Sequence, residues 1–422
     1  MLPFPLAASK RGLLASLRTN LLPGLLVACI AVALAPPLLG IGPLAHAADT
    51  VRAEVGKPLL EAQKLTSSGK HKEALAKLRE ADRVKEKTAF ESYQIEYVRG
   101  SAAAAAGDNA IAIKSFEFVL NSNRLPAANV PQFTQALAGM YYRAKDWPKA
   151  IVWINRSLDD NDTVAMRDLL IQTYYVSGNY AQAGKELTAH MARGASEAQW
   201  QMLANIQLKR NDKAGYVATL EKLVDNYPKA SYWADLLSRV SGKPGFSSRL
   251  SLDVLRLQLT NDLPMTPAQY MEMGQLALLA SNPFEALQII ERGYKSGALG
   301  SGAEAARHQR LKDLALKNLA ANTATLAADR TELVKNKNAD GLAALGFAQV
   351  SRGEIDQGLA LMTQAVKMGS AKQPAHLKLH LGVAYLNAGM KTNALSALKS
   401  VQGNDGAADL ARYWIMYINR PL

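Results

Sequence analysis

One cysteine, Cys29, occurs in 422 residues, and none follows it. A chain of this length with a single thiol forms no internal disulfide, so its stability must come from apolar burial. Blocks of single-sign charge are missing too. No run of five like charges occurs, and bases alternate with acids in stretches such as KEALAKLREADRVKEK, residues 72–87. The formal net charge is +13. Charges interspersed in this way describe a solvated helical surface better than a phosphate footprint, so nucleic acid is not an expected partner.

Catalytic signatures are absent as well. The chain holds no Gly-x-Ser-x-Gly elbow, no Gly-x4-Gly-Lys-Ser/Thr phosphate loop, no nucleotide-binding Gly-x-Gly-x-x-Gly and no His-Glu-x-x-His. The GALGSG at 297–302 is misspaced for a nucleotide loop. Of the six histidines, His376 and His380 stand four apart, one helical turn, which is a metal-ligand spacing. No third ligand and no supporting carboxylate lie nearby in sequence, so the expectation is an ordinary exposed helix face, with no metal and no cofactor. His71, His190 and His308 are isolated. Asp159, Asp160 and Asp162 lack the glycine and terminal glutamate of a calcium loop and read as a helix end followed by a capping turn. The sequon Asn155-Arg156-Ser157 falls inside a predicted helix, which argues against glycosylation. No catalytic residue is assigned; the competing reading is a metal- or glycan-acting enzyme using the C-terminal half, His376 and His380 included.

What the chain does have starts with a leader. Lys10, Arg11 and Arg18 precede the apolar stretch Leu21 to Leu44, broken by Pro23, Pro36, Pro37 and Pro43 and closed by Ala45-His46-Ala47. The small-x-small ending is a signal-peptidase site, so residues 1–47 read as a signal peptide and 48–422 as the exported chain. Two alternatives stand beside it. Leu26-Val27-Ala28-Cys29 fits a lipoprotein box with Cys29 acylated, and Leu21 to Leu39 is long enough to stay as an uncleaved anchor. All three place the body outside the cytoplasm, and cleavage leaves a periplasmic chain without a membrane span.

A repeat follows. Small residues recur in similar surroundings at Ala74, Ala112, Ala150, Ala183, Ala286, Gly358 and Ala394, the first four spaced 38, 38 and 33 apart. Five positions before each stands a turn residue: GKHKEA, GDNAIA, KDWPKA, GNYAQA, SNPFEA, GEIDQG and GMKTNA. The preceding segment carries an apolar helical face, as in Thr134, Leu137, Ala138 and Tyr141, or Lys378, Leu381, Gly382 and Tyr385. The following segment carries Ala74, Leu78 and Ala81, or Ala150, Ile154 and Ser157, or Ala394, Leu398 and Val401. Steps of three and four place such residues on one face. Antiparallel helices about 8–10 Å apart need small side chains where the axes approach and bulky ones beside them.

This pattern resembles the tetratricopeptide repeat, whose W-x2-L-G-x2-Y, A-x3-F and P signature is met by Trp200, Leu203, Ala204 and Pro228, and by Tyr270, Met273, Gly274, Ala277, Ala286 and Ile290. Eight units start near Val55, Tyr93, Pro131, Val164, Glu197, Pro267, Ala339 and Ala375. The resemblance implies an all-α, right-handed α-solenoid of about ten antiparallel helix pairs: an array over 48–230, an irregular pair or hinge at 231–266, and a second array over 267–422. Within the latter, 302–336 reads as a helix pair without the signature, and 407–418 as a capping helix. NDKAGYVATLEKLVDNYPKASYWADLLSRV (211–240) and KLHLGVAYLNAG (378–389) also look like proteobacterial tetratricopeptide proteins described as candidate components of a TonB energy-transduction system.

In that family the second, fifth, ninth, twelfth and thirteenth positions of each first helix line a concave, peptide-holding groove. By register this implies Gln94, Tyr97, Gln132, Gln135, Tyr142, Arg143, Asp168, Gln172, Tyr175, Gln201, Asn205 and Lys209. Tyr141, Tyr174 and Tyr385 take the packing slot, whereas Tyr142 and Tyr175, about 100° further round the helix, leave the packed face. The expected function is a non-catalytic envelope scaffold that captures a protein segment. The alternative within the same class is a scaffold for polysaccharide assembly or export.

Overall fold

The computed structural model describes residues 50–192 and 194–420; the leader, with Cys29 and the Ala47 cleavage site, lies outside the described residues. Among the described residues there are twenty α-helices, two 3-10 turns and no strand. No helix there is long and apolar enough to cross a membrane. The chain divides into two compact units between Tyr216 and Val217.

The N-terminal unit is a succession of helical hairpins. Its helices are α1 (Ala53–Ser67), α2 (His71–Asp82), α3 (Ala89–Ala106), α4 (Asn109–Asn121), α5 (Val130–Arg143), α6 (Trp147–Asp160), α7 (Val164–Val176), α8 (Tyr180–Met191) and α9 (Glu197–Lys209). The division falls within α10 (Lys213–Asn226). Each helix packs on the next, α1 on α2, α3 on α4, α5 on α6 and α7 on α8, and each hairpin packs on its successor.

The turn signature has a conformational cause. All seven residues five positions before the small markers adopt positive φ: Gly69, Gly107, Lys145, Gly178, Ser281, Gly353 and Gly389. A helix end closes most readily with one left-handed residue, which glycine adopts without penalty. At the turn after α5, the amide of Asp146 reaches the carbonyl of Tyr141 at 3.0 Å and that of Lys145 reaches Tyr142 at 3.0 Å. At four of the seven turns the side chain of the next residue, Asp108, Asp146, Asn179 or Asn282, then caps the following helix: Asp108 accepts from the amide of Ile111 at 3.1 Å, and Asp146 from that of Lys149 at 3.2 Å. One tight turn thus ends one helix and starts the next.

The markers meet the facing helix, as their size requires. Ala74, Ala112, Ala150, Ala183, Ala286 and Ala394 are fully buried. At Gly100, on α3, an added Cβ would stand 2.4 Å from the Phe116 ring on α4. Around these contacts Tyr93, Phe116, Phe133, Leu137, Tyr141, Ile154 and Leu169 form one apolar seam through successive hairpins.

At the start of the unit, Glu91 is fully buried and accepts from Arg52 Nε at 2.9 Å, Arg52 Nη2 at 2.9 Å and the amide of Arg52 at 3.0 Å, while also closing a capping box with Thr88. Hydrogen bonds from Arg52 pull its carboxyl down to about 2, against the opposing effect of burial. A depressed carboxyl stabilises the fold above its unfolded value, and that contribution is lost as pH falls through the folded value. Thermal melts of the wild type should therefore lose stability between about pH 4.5 and 2, and Glu91→Gln, which cannot accept the same charged bonds, should flatten that part of the profile. An unchanged acid limb in Glu91→Gln refutes this assignment.

The C-terminal unit contains the rest of α10, then α11 (Ala230–Ser241), α12 (Ser251–Thr260), α13 (Pro267–Leu279), α14 (Pro283–Lys295), α15 (Ala305–Lys335), α16 (Ala339–Ser351), α17 (Ile355–Met368), α18 (Pro374–Asn387), α19 (Lys391–Lys399) and α20 (Ala407–Asn419). Over 231–266 the chain holds most of α11 and all of α12, with Gly242-Lys243-Pro244-Gly245 between them. The pair expected at 302–336 is instead one helix of 31 residues. No glycine or proline interrupts it, and its alanines and leucines favour continued helix. Its buried residues, His308, Leu311 and Ala315, lie in its first third, and the stretch 316–332 buries none.

The last helix does more than cap. Besides packing on α18 and α19, α20 touches α12. Lys243, just after α11, binds Asp409 at 2.6 Å, and Arg412 binds Glu221 of α10 at 2.8 Å. The amide of Ser247 donates to the carbonyl of Asp405 at 2.8 Å. The first and last parts of this unit are thereby joined.

Candidate functional site

The twelve residues assigned by register stand on the first helices of successive hairpins: Gln94 and Tyr97 on α3; Gln132, Gln135, Tyr142 and Arg143 on α5; Asp168, Gln172 and Tyr175 on α7; Gln201, Asn205 and Lys209 on α9. Arg143 and Lys209 are exposed, and the other ten are half-buried. The side-chain amides of Gln94, Gln132, Gln135 and Gln172 make no hydrogen bond among the described residues. These amides repeat on α3, α5 and α7, each with a carbonyl acceptor and two N–H donors to offer.

The tyrosines between them are held by neighbours. Tyr97 tilts against Phe133 at 5.6 Å, and burial pushes its phenol up to about 12. Tyr142 meets Trp147 edge-on at 5.4 Å, and Tyr175 meets Tyr180 in the same way at 5.6 Å. The Tyr175 hydroxyl donates to Asn205 Oδ1 at 2.9 Å, linking α7 to α9. Tyr141 is buried in the packing slot and donates to Glu117; Tyr174 and Tyr385 are half-buried. Neither Tyr142 nor Tyr175 is fully buried, as their offset from the packed face requires.

The structure adds His190 to this surface. Its Nε2 lies 3.5 Å from Asp168 Oδ1, so it is not the isolated residue the sequence suggests. Burial raises the Asp168 carboxyl, with His190 acting in the opposite sense. His308 is likewise not isolated: it is buried, and its Nδ1 accepts from the amide of Gly300 at 3.1 Å.

The pair His376 and His380 is corrected too. His376 is buried and His380 half-buried rather than exposed, and each imidazole has its own carboxylate. His376 Nε2 lies 2.6 Å from Asp405 Oδ2, and His380 Nε2 lies 3.0 Å from Asp253 Oδ2. The carboxylates come from positions distant in sequence, which is why local spacing does not reveal them. The two partners differ, so the histidines do not converge on one point. Among the described residues no three His, Cys, Asp or Glu side chains are placed to hold a metal ion.

Asp253 belongs to a buried polar cluster that the sequence reading missed. Arg256 of α12 grips Glu285 of α14 through two bonds of 2.7 Å and Asp253 through one of 2.8 Å. The Phe347 ring of α16 covers the guanidinium at 4.6 Å. Asn282 donates to Glu285 at 3.0 Å and to Ser351 at 3.0 Å. Burial opposes ionisation of Asp253, but His380 and Arg256 outweigh it and hold the carboxyl well below its ordinary range. The Arg256, Asp253 and Glu285 side chains are thus spent on one another and on the fold. Only the i, i+3 spacing of Asp253 and Arg256 is visible locally.

Residues 200–230 match the tetratricopeptide repeat family model. No curated protein matches the chain. Among solved structures, a tetratricopeptide repeat protein from Parabacteroides merdae is 12% identical, with 79% of this chain and 99% of that one covered and a TM-score of 0.30. The TPR domain of P58(IPK) is 11% identical, with 86% and 98% covered and a TM-score of 0.24. The TPR2AB domain of yeast Sti1, solved in a complex with pHSP90, is 12% identical, with 69% and 99% covered and a TM-score of 0.24. The segment from α9 to the start of α11 therefore carries the tetratricopeptide signature by sequence, and the hairpins before it share its left-handed turn, with Asn211 standing where they have Gly107, Lys145 and Gly178.

Proposed function

We propose that the N-terminal unit is a polypeptide-binding module and the whole chain a non-catalytic scaffold. The observation that carries this is the run of unpaired amides, Gln94, Gln132, Gln135 and Gln172, interleaved with half-buried tyrosines on successive first helices. An extended chain has a backbone donor and acceptor to offer at every residue other than proline, and amides satisfy both. Tyrosines add apolar contact at low cost in rotamer entropy. The C-terminal unit has no comparable free set around Arg256, because those groups already satisfy one another. The tetratricopeptide match supports the same reading, since such repeats mediate contacts between proteins. We further propose that the scaffold acts in the bacterial envelope after export, with a TonB-type system as the partner to test first.

Photocrosslinkable residues at Gln135 and Gln172, introduced in living cells, should capture a specific protein. The same residue at exposed Val152, on second helix α6, should not. Tyr142→Ala with Tyr175→Ala should weaken binding of that partner about tenfold or more, a hot-spot magnitude, while helical content stays near wild type and the melting temperature falls only modestly, by the loss of the Tyr175–Asn205 bond and two ring contacts. Loss of helical content would place these tyrosines in the core instead. Equal capture from both faces would refute the module.

A further inference from the structure

The turns that follow α5, α7 and α9 occupy equivalent positions in successive hairpins, each directly after a first helix that carries groove residues. Two features coincide there. The first is a repeated aromatic pair: Tyr142 with Trp147, and, 33 residues on in each case, Tyr175 with Tyr180, both edge-to-face. At the next turn the position of the tyrosines is taken by Leu208, which is 43% exposed. The second is charge. Arg143, Lys145, Lys209, Arg210 and Lys213 are exposed and have no ion-pair partner among the described residues. The two carboxylates in these turns are spent on helix caps, Asp146 accepting from the amide of Lys149 at 3.2 Å and Asp212 from that of Gly215 at 2.9 Å.

We infer that these turns together bind an acidic, extended polypeptide segment in which carboxylates alternate with apolar side chains. The unpaired bases at the first and third turns supply the charge complement, and the middle turn, Ser177-Gly178-Asn179, carries no charge. Between them the two aromatic pairs receive apolar side chains. Rings that are half-buried and edge-to-face offer clefts and edges rather than the open planes on which bases stack, which favours a polypeptide over single-stranded nucleic acid. The bases act on carboxylates along the segment, so a free chain terminus is not needed.

The inference rests on the reading of the N-terminal unit as a polypeptide-binding module, and its test leaves the amides untouched. Fluorescence anisotropy of the purified full chain would use labelled, C-terminally amidated peptides of about twelve residues, of Glu-Pro repeats and of Lys-Pro repeats, with an oligothymidine for comparison. Proline repeats are already extended and lose little entropy on docking. The Glu-Pro peptide should bind at least tenfold more tightly than the Lys-Pro peptide and weaken as salt is raised. Arg143→Glu with Arg210→Glu should reduce Glu-Pro binding tenfold or more and shift the preference towards Lys-Pro. Circular dichroism of that variant should match wild type; if it does not, Arg143→Gln with Arg210→Gln is the substitute and should show the loss without the reversal. Equal binding of both peptides, no effect of the charge changes, or tighter binding of oligothymidine than of Glu-Pro would each overturn the inference. Crosslinking from Gln135 and Gln172 alongside such a failure would leave the module standing and remove only the role of these turns.

Discussion

Replacing Arg256 with methionine is expected to cost the C-terminal unit about 3–5 kcal/mol, the range for removing one partner of a buried ion pair. Arg256 and Asp253 are buried, with 7% and 1% of their surface exposed, and the guanidinium is the cation between Asp253 and Glu285. Without it Glu285 loses its cation and buried Asp253 keeps only His380, beside the Phe347 ring. Urea unfolding followed by the fluorescence of Trp233 and Trp414 should show the loss. The triple replacement Arg256→Met, Asp253→Leu and Glu285→Met should recover most of it, because an apolar cluster of similar volume has no charge to desolvate. Should the single change leave the midpoint where it was, the cluster is solvated and the assignment fails.

The second large effect is expected at Gly358→Ala. A Cβ there would lie 2.5 Å from the carbonyl oxygen of Gly346 and 2.8 Å from the amide nitrogen of Val350, and one at Gly346 would lie 2.6 Å from the Gly358 oxygen. These are backbone atoms, so no side chain can rotate away, and α16 and α17 must separate along their whole contact. Overpacking of a tight interface costs about 1–3 kcal/mol, sometimes more; with backbone on both sides the upper end or beyond is expected. Differential scanning calorimetry against Gly353→Ala, where nothing lies within 4 Å but φ is +89°, separates the clash from turn strain alone. A melting temperature for Gly358→Ala no lower than for Gly353→Ala would contradict the clash.

Gly358 also shows why so much of the fold was legible. It stands in register with six alanines, because the closest approach of two helices tolerates little beyond a hydrogen or a methyl. The left-handed residue five positions earlier was visible for a related reason, since in five of the seven turns it is glycine. Lys145 and Ser281 take the same conformation without being glycine, and there the surrounding pattern identifies the turn. Both signals are local, and so is the helix register that singled out Gln135 and Gln172.

What stayed hidden was either long-range or a missing signal. Arg256 meets a glutamate 29 positions away, and Asp253 meets a histidine 127 positions away. Spacing rules have no access to such pairs, so His376 and His380 looked exposed and Asp253 looked unremarkable. In 302–336, Asn318, Asn322 and the threonines suggest a break, yet side chains of modest helix propensity do not end a helix without a glycine, a proline or a cap. The aromatic pairs could have been anticipated from the register alone, since Tyr142 and Tyr175, and likewise Trp147 and Tyr180, are each 33 apart.

The joining of α20 to the start of its unit has a kinetic meaning. In the N-terminal unit each hairpin rewards the chain almost as soon as it forms, because its partners are neighbours in sequence. The bonds from Lys243 to Asp409 and from Arg412 to Glu221 span 166 and 191 residues. Loop-closure entropy must be met before such contacts yield anything, and rates fall as mean contact separation grows. The two halves of this chain therefore fold on different clocks, the hairpin stack early and the closure of α20 last.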